Sequence, residues 1–370
     1  RSNDNALNTT SAQDGLIWSA IRFMPFIPVR NEDGSWGTSK ASNEFGDINN
    51  PVFTATNVDA NNVNTRILGN LNAEYQIING LKLKVNFGID GNHLSWREFS
   101  ILVNDQTRTT TNNSLRRKYD EKYSLLGEYF LSYSKLFAGK HKVDAVAGYT
   151  VQTINEDFFG ATKRDFLNED RDQRYIDAGQ TLSGMEGTRY YDALESMFAR
   201  VNYDFDKRYL FTATFRADGS SKFAKGNKWG YFPAFSAGWR ISQEKFFRSA
   251  LIDDLKLTAG WGQLGNQNID RLQYLALIGG GGRYSFNNNT TVGSTQTRLP
   301  NQDISWETAE MTNVGLSAEM SKNRLLVSVN YFNKTTRDML LSPPTIGTVG
   351  TLAIPDQNVG VLKNSGVEID

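Results

Sequence analysis

Side chains able to carry covalent or acid–base chemistry are scarce in this sequence. Cysteine is absent, and histidine occurs only at His93 and His141, which removes thiolate nucleophiles, disulfides and thiolate metal sites. Two imidazoles so far apart in sequence support neither a zinc set nor a Ser/His/Asp arrangement. Asn168, Glu169, Asp170 and Asp172 cluster oxygen donors that could hold calcium, but the EF-hand spacing and its terminal glutamate are missing. A solvated acidic loop is the expectation there. Gly279 to Gly282 has the glycines of a phosphate cradle without the strand-to-helix setting or a following Gly-Lys-Ser/Thr, so it reads as a flexible surface loop. Asp218-Gly219-Ser220-Ser221 could be a ligand loop, but Asp-Gly after an aromatic strand is above all a turn signal. No enzyme, metal or cofactor chemistry is expected.

Binding chemistry is better supplied. Sugar rings stack on aromatic faces while hydroxyls take charged or amide partners. Trp36, Tyr175, Tyr190, Tyr191, Arg283, Tyr284 and Phe286 fall in stretches that read as long loops and are the candidate substrate contacts. Each has an equal claim to be a loop packing residue or a contact for a covering lid.

The elements that would position these residues follow from period-two alternation. In LKLKVNFGI, Leu81, Leu83, Val85, Phe87 and Ile89 share one face, with Lys82, Lys84, Asn86 and Gly88 on the other. The pattern returns at Val143, Ala145, Ala147, Tyr149 and Val151, at Met197 to Phe205, and at Tyr209 to Ala217. It continues at Tyr231 to Ile241, Leu255 to Trp261, Val314 to Met320 and Leu325 to Tyr331. About ten such segments are expected, each near the roughly 9–11 residues of a tilted membrane strand. No run of eighteen apolar residues occurs, which excludes a helical span but not a barrel, since only alternate residues face lipid. Forty basic residues balance forty acidic ones, giving no support for a nucleic-acid partner.

Two all-β folds fit this alternation. In a sandwich the apolar faces of two sheets cover each other, whereas in a membrane barrel they meet lipid and the inner face carries polar groups. Here the alternates include Lys82, Lys84, Asp144, Arg200, Arg216, Gly238, Arg240, Lys256 and Gly260. Joins alternate between short ones (Asn79-Gly80, Ala138 to Lys140, Asp206 to Arg208, Ser321 to Asn323) and long ones, at 92–118, 155–190, 262–303 and 340–360. Such asymmetry is a barrel's, and a compact soluble domain rarely holds several long structureless loops. Unpaired backbone groups in hydrocarbon cost several kcal/mol each, so a spanning sheet must close. The expectation is a transmembrane antiparallel β-barrel, with residues 1–370 forming roughly half of a ring of about 22 strands. The chain opens on Arg1-Ser2-Asn3-Asp4 without a leader pattern and closes on Gly366 to Asp370 with alternation still running, and so reads as an excerpt of a longer polypeptide.

From Tyr209 to Phe247 the sequence resembles the signature stretch of the SusC/RagA family of TonB-dependent outer-membrane transporters. The match runs through Arg216, Asp218, Gly219, Ser220, Ser221 and Phe223, then Trp229, Gly230, Tyr231, Phe232 and Pro233, then Ala237, Trp239, Arg240 and Ile241. It continues at Leu255-Lys256-Leu257 and at Gly262, Gly265 and Asn266, and then at Trp306-Glu307-Thr308 with Asn313-Val314-Gly315. Further matches stand at Tyr331 to Thr335, Asp338 to Leu340, Asn358 to Gly360, and Asn364 with Gly366 to Glu368. Looser similarity lies upstream at Gly80-Leu81, Glu128 to Phe130 and Ala147 to Tyr149. No counterpart of the family's N-terminal plug, TonB-contacting segment or final barrel strands is seen. The resemblance implies a multi-pass protein of the outer membrane of Bacteroidetes-type bacteria. It would import oligosaccharides or peptides with a SusD-like surface lipoprotein as lid and TonB as energy source. A passive channel and a secreted soluble β-protein, such as a glycan-binding module or glycosidase, are the competing expectations.

Overall fold

The computed structural model describes the chain except residues 1, 6–15, 39–47, 49, 58, 103, 106–107, 110–111, 323, 345–346, 348–349 and 351. Asn323, at the end of one expected turn, and parts of the expected 92–118 and 340–360 loops therefore lie outside the described residues. For residues 2–5, 57, 104–105 and 108–109 only the backbone is described.

Two short helices, α1 (Leu16–Arg22) and α2 (Pro51–Asn57), are the only α-helices among the described residues. Asn50 caps α2, its Oδ1 accepting the amides of Val52 and Phe53 at 3.0 and 3.2 Å, and Pro51 takes the first helical position, where no amide is needed. No described helix is long and apolar enough to cross a membrane.

Strands dominate the remainder. They begin with β1 (Ser2–Asn5), β2 (Asp59–Ile78), β3 (Leu81–Ser100), the short pair β4 (Asn104–Asp105) and β5 (Arg108–Thr109), and β6 (Ser114–Phe137). Next come β7 (His141–Phe166), β8 (Gly179–Phe205), β9 (Tyr209–Ser220), β10 (Trp229–Arg240) and β11 (Ile252–Asn266). The hairpin β12 (Leu277–Phe286) and β13 (Asn289–Arg298) precedes β14 (Glu307–Met320) and β15 (Leu325–Arg337). Last come β16 (Leu340–Leu341), β17 (Gln357–Asn358) and β18 (Val361–Ile369). Twelve strands form one sheet in the order β1-β2-β3-β6-β7-β8-β9-β10-β11-β14-β15-β18, a meander in which each strand pairs with its sequence neighbours in that set. The sheet thus holds two strands more than the ten or so expected. β2 repeats the alternation at Leu71, Ala73, Tyr75 and Ile77.

The short turns stand where expected. Gly80 and Gly139 have φ of +85° and +69°, and the pairs Asp206/Lys207 and Ser321/Lys322 lie between +54° and +61°. Such left-handed turn residues match the right-handed twist of the strands they join.

The long joins are corrected. Strands β3, β6, β7 and β8 run 20, 24, 26 and 27 residues, so most of 92–118 and 155–190 is ladder, not loop. These extensions carry polar residues on both faces, such as Asn155, Glu156, Asp157 and Arg189, and so lack the alternation that marks the apolar stretches. Their backbone is nonetheless paired, and cross-strand ion pairs such as Arg66 with Asp90 (2.7 Å) and Arg189 with Asp157 accompany the ladder. Within 262–303, Gly279 to Gly282 belongs to β12, where the register shifts between Gly280 and Gly282 and Gly281 takes φ +104°. It is a bulged strand, not a flexible loop.

The chain divides into two compact units. Unit 1 comprises Arg1–Gly69, Ile89–Leu125 and Ile154–Tyr191. Its small core joins Phe99, Leu115 and Phe166, with Ile101 and Ile176 packed against them. Asn113 pins this core by accepting from the Phe166 amide at 2.7 Å and donating to its carbonyl at 2.9 Å. Asp59 receives both Arg97 (3.0 Å) and Arg174 (2.5 Å), and the Arg174 guanidinium stacks 4.3 Å over Phe99.

Unit 2 comprises Asn70–Gly88, Leu126–Thr153 and Asp192–Asp370. Its apolar alternates are uncovered: Phe211, Phe215, Tyr231, Phe235, Leu257, Val314, Leu316 and Tyr331 are all exposed, Tyr231 by 60% and Phe235 by 56%. A sandwich would have buried this face against a second sheet. Rings stack across strands along it, Phe205 with Tyr209, Phe215 with Tyr231, and Phe235 with Trp261 at 6.1 Å and 12°. From Tyr209 to Ala217, the partner of Tyr231, β9 advances about 26 Å at roughly 3.3 Å per residue, close to the ~25 Å apolar band of membrane barrels. The opposite face is knitted by polar pairs, among them Asn86 to Glu128 (2.6 Å), Thr212 to Asn202 (2.9 Å) and Arg240 to Asp254 (3.0 Å).

Candidate functional site

Three of the signature residues, Phe223, Phe232 and Trp306, meet in unit 2 in a buried cluster. Phe223, Phe232, Ile269, Ile304 and Trp306 form its core, with Leu194, Tyr274 and Leu340 packed against it. Trp306 contacts Phe223 at 5.3 Å and Phe232 edge-on at 5.5 Å, and its indole donates to the Lys228 carbonyl at 3.0 Å. Two glycines from neighbouring strands make room for the Phe232 ring. A Cβ on Gly230 would lie 2.4 Å from Phe232 Cζ, and one on Gly265 would lie 2.0 Å from the same atom.

Around this core the remaining signature polar groups tie down the connections. Ser221 exchanges two hydrogen bonds with Ala193 through its Oγ (2.9 Å) and amide (3.0 Å). Lys222 Nζ donates to the Ile269 carbonyl at 2.8 Å. Glu307 accepts from Asn266 at 3.1 Å and from the Leu340 amide at 3.0 Å, and Asn358 exchanges hydrogen bonds with the backbone of Ser305 at 2.8 and 2.9 Å. Arg216 pairs with Asp218 at 2.8 Å and lies 5.3 Å from the Phe198 ring. The turn expected at Asp218-Gly219 is corrected: β9 continues through Ser220, with Asp218 paired to both Ser196 and Gly230. The ion pair with Arg216 offsets the cost of burying the Asp218 carboxylate in the ladder.

At one margin of the apolar face, Glu244 gathers three donors: Tyr209 Oη (2.6 Å), Trp239 Nε1 (3.1 Å) and Arg208 (3.3 Å). The Tyr209 hydroxyl foremost, then the indole and the guanidinium, hold its carboxyl below the usual carboxylate range.

The candidate substrate contacts are dispersed. In unit 1, Trp36 lies under Arg30, whose guanidinium is 3.6 Å from the ring centroid, and takes Phe53 edge-on at 5.3 Å. Tyr175 is exposed just before the 3-10 turn Ile176–Ala178. Tyr190 and Tyr191 are on strand β8, not on a loop, and point to opposite faces, Tyr191 exposed and Tyr190 half-buried. In unit 2, Arg283, Tyr284 and Phe286 lie on β12, also a strand, beside the Asn287-Asn288 turn. Tyr284 and Phe286 touch, centroids 4.6 Å apart, and both are exposed.

In the acidic tract, Glu169 Oε1 accepts from the Leu102 amide (2.7 Å) and Asn113 Nδ2 (2.8 Å), and Asn168 accepts from the Asp170 amide (2.8 Å). These oxygens brace the loop. The histidines have separate partners, His93 with Glu121 at 3.1 Å and His141 with Tyr203 at 2.7 Å.

One constellation in unit 1 has no counterpart among the sequence expectations. Leu94, Trp96, Arg116, Lys118, Asp120 and Phe158 line a cavity of about 360 Å³. Arg116 and Lys118 lie 5.7 and 5.9 Å from the Trp96 centroid, and Lys118 lies 5.4 Å from that of Phe158, all within cation–π range. Both cations also converge on one oxygen, Glu186 Oε1, at 2.8 and 3.4 Å. The contributors come from β3, β6, β7 and β8, so only strand register brings them together. The signal within single strands was the alternation that puts residues 94 and 96, and residues 116, 118 and 120, on one face.

Comparison with known proteins places this geometry. Residues 4–370 match the family model described as TonB dependent receptor-like, beta-barrel. A TonB-dependent receptor of Formosa agariphila is 31% identical over 375 residues, covering 97% of this chain and 36% of that protein. The TonB-dependent receptor SusC of Bacteroides thetaiotaomicron is 27% identical over 398 residues, covering 98% of this chain and 38% of that protein. The solved RagAB peptide transporter superposes with a TM-score of 0.79 at 27% identity, over 87% of this chain and 35% of that one. The chain thus spans little more than a third of the length of the curated relatives it matches.

Proposed function

The chain belongs to the TonB dependent receptor-like β-barrel family of the outer membrane, and from that membership we propose that it is part of the barrel wall of an energised nutrient importer. Residues 1–370 form part of a barrel of about 22 strands, in a protein whose plug segment couples to TonB. A SusD-like surface lipoprotein covers the mouth, and the cargo is an oligosaccharide or a peptide. The observation that carries this reading is the exposed apolar face of unit 2, which no sheet covers among the described residues and whose extent along the strand suits a bilayer. The likeness to SusC and to a peptide importer supports import over passive conduction. The same uncovered face argues against a secreted soluble β-protein.

The arrangement suits such a wall. The signature cluster fixes the connections between strands, and the exposed Tyr284–Phe286 pair, with the half-buried Trp36 and Tyr190, would meet cargo or lid. Their contact with cargo is part of the proposal. The test is uptake of labelled oligosaccharides and peptides by cells expressing the full-length protein, with and without tonB and the neighbouring lipoprotein gene. Uptake that needs both genes supports the reading. Uptake indifferent to tonB would identify a passive channel instead.

A further inference from the structure

We propose that Arg116, Lys118, Trp96 and Phe158 form a binding site for a carboxylated sugar ring, occupied between ligands by the protein's own carboxylate, Glu186. This rests on the importer reading above and names a substrate class for it, acidic oligosaccharides.

Two cations that reach one carboxylate oxygen, at 2.8 and 3.4 Å, are spaced to grip a carboxylate. Glu186 shows that spacing by filling it. Its hold is weak, because the Glu186 and Arg116 side chains are 47% and 43% exposed and exposed ion pairs contribute little. Glu186 is also seated where the strand beneath carries no side chain: a Cβ on Gly160 would lie 2.9 Å from Glu186 Cγ and 3.0 Å from its Oε1. Any larger residue would push the carboxylate off the cations. Rotation of one side chain about its own bonds therefore frees both cations without moving a strand.

The aromatic rings decide what enters. With Glu186 and Asp120 opposing Arg116 and Lys118, the four charges sum to zero, so the site does not collect small anions by its field. A sugar ring bearing a carboxylate answers both features, its C–H face lying against the half-buried Trp96 or Phe158 while its acid group replaces Glu186. At about 360 Å³ the cavity is at the small end of ligand sites, matched to one or two sugar units of a longer chain. An acidic peptide offers the carboxylate without the rigid ring.

The test uses the full-length transporter purified with its lipoprotein partner and follows tryptophan fluorescence and calorimetry. The probes are trigalacturonate, its methyl ester and a glutamate-rich tetrapeptide. Expected results are binding of the acid at least tenfold tighter than the ester or peptide, loss of about tenfold with Arg116→Gln or Lys118→Gln, and a gain of about two- to fivefold with Glu186→Gln, the size of a displaced exposed ion pair. Heat-modifiable migration on gels reports whether each variant folds. Equal binding of acid and ester, tighter binding of the peptide, or a Glu186→Gln variant with unchanged affinity would overturn the proposal. Its failure is separable from that of the importer reading: TonB-dependent uptake of a neutral cargo with no acid binding rejects only this site.

Discussion

The phenol of Tyr209 and the carboxylate of Glu244 are joined by a 2.6 Å hydrogen bond at a margin of the apolar face. A ring of the apolar face and an acid beyond the end of β10 are thereby fixed to each other, and the Trp239 indole shares the same oxygen at 3.1 Å. The depressed carboxyl of Glu244 makes this clamp sensitive to pH. Its contribution is complete above the unfolded glutamate value of about 4.3 and is lost as pH falls through the lower folded value. Unfolding of the full-length barrel in urea, followed by Trp fluorescence between pH 7 and pH 3, should show a loss of stability at the acid end. Glu244→Gln should remove that component, and an unchanged pH profile in the variant would sink this account.

Face assignment predicts unequal tolerance of lysine at adjacent positions. Phe215, 48% exposed on the apolar face, should lose about 2–4 kcal/mol as Phe215→Lys, whereas Thr214→Lys should cost little. Unfolding from lipid vesicles measures both. Equal losses would refute the register of β9.

Crowding at Phe232 predicts a coupled pair. Gly265→Ala puts a methyl about 2.0 Å from Phe232 Cζ before relaxation, an overpacking cost of about 1–3 kcal/mol. Phe232→Leu alone removes ring contacts with Trp306 and is also destabilising. Combined, the two substitutions should cost less than their sum, since the smaller side chain accepts the new methyl. Additive losses would show that the ring and the glycine do not meet.

The hairpin pair Tyr284 and Phe286 offers a functional test with little structural risk, because both rings are exposed. Tyr284→Ala with Phe286→Ala should leave heat-modifiable folding intact and slow uptake roughly tenfold, as two aromatic contacts of about 0.5–1.5 kcal/mol each would give. Normal uptake would remove this hairpin from the cargo path.

What the sequence disclosed follows from where physics writes a period. Beside a bilayer, alternation is enforced, and LKLKVNFGI or Tyr209 to Ala217 read as strands at sight. Residues such as Asn155 to Asp157 are paired in a ladder with polar groups on both faces, so nothing in their order distinguishes strand from loop. Asp218-Gly219 misled for a related reason: the local turn preference is overridden by pairing with Ser196 and Gly230, partners remote in sequence. The signature residues were found by resemblance, yet their reason, a ring housed between two glycines, is visible only in three dimensions. Trp96, Arg116, Phe158 and Glu186 were missed because they come from four strands, and no short motif holds them.

The housing of Phe232 has a consequence for assembly. Gly230 belongs to β10 and Gly265 to β11, so the ring finds its slot only after those two strands have paired in register. A slip by one residue would offer Leu264 or Asn266 in place of Gly265, and the ring would be refused. The cluster around Trp306 is therefore compatible with one register of β10 against β11 and with no neighbouring one.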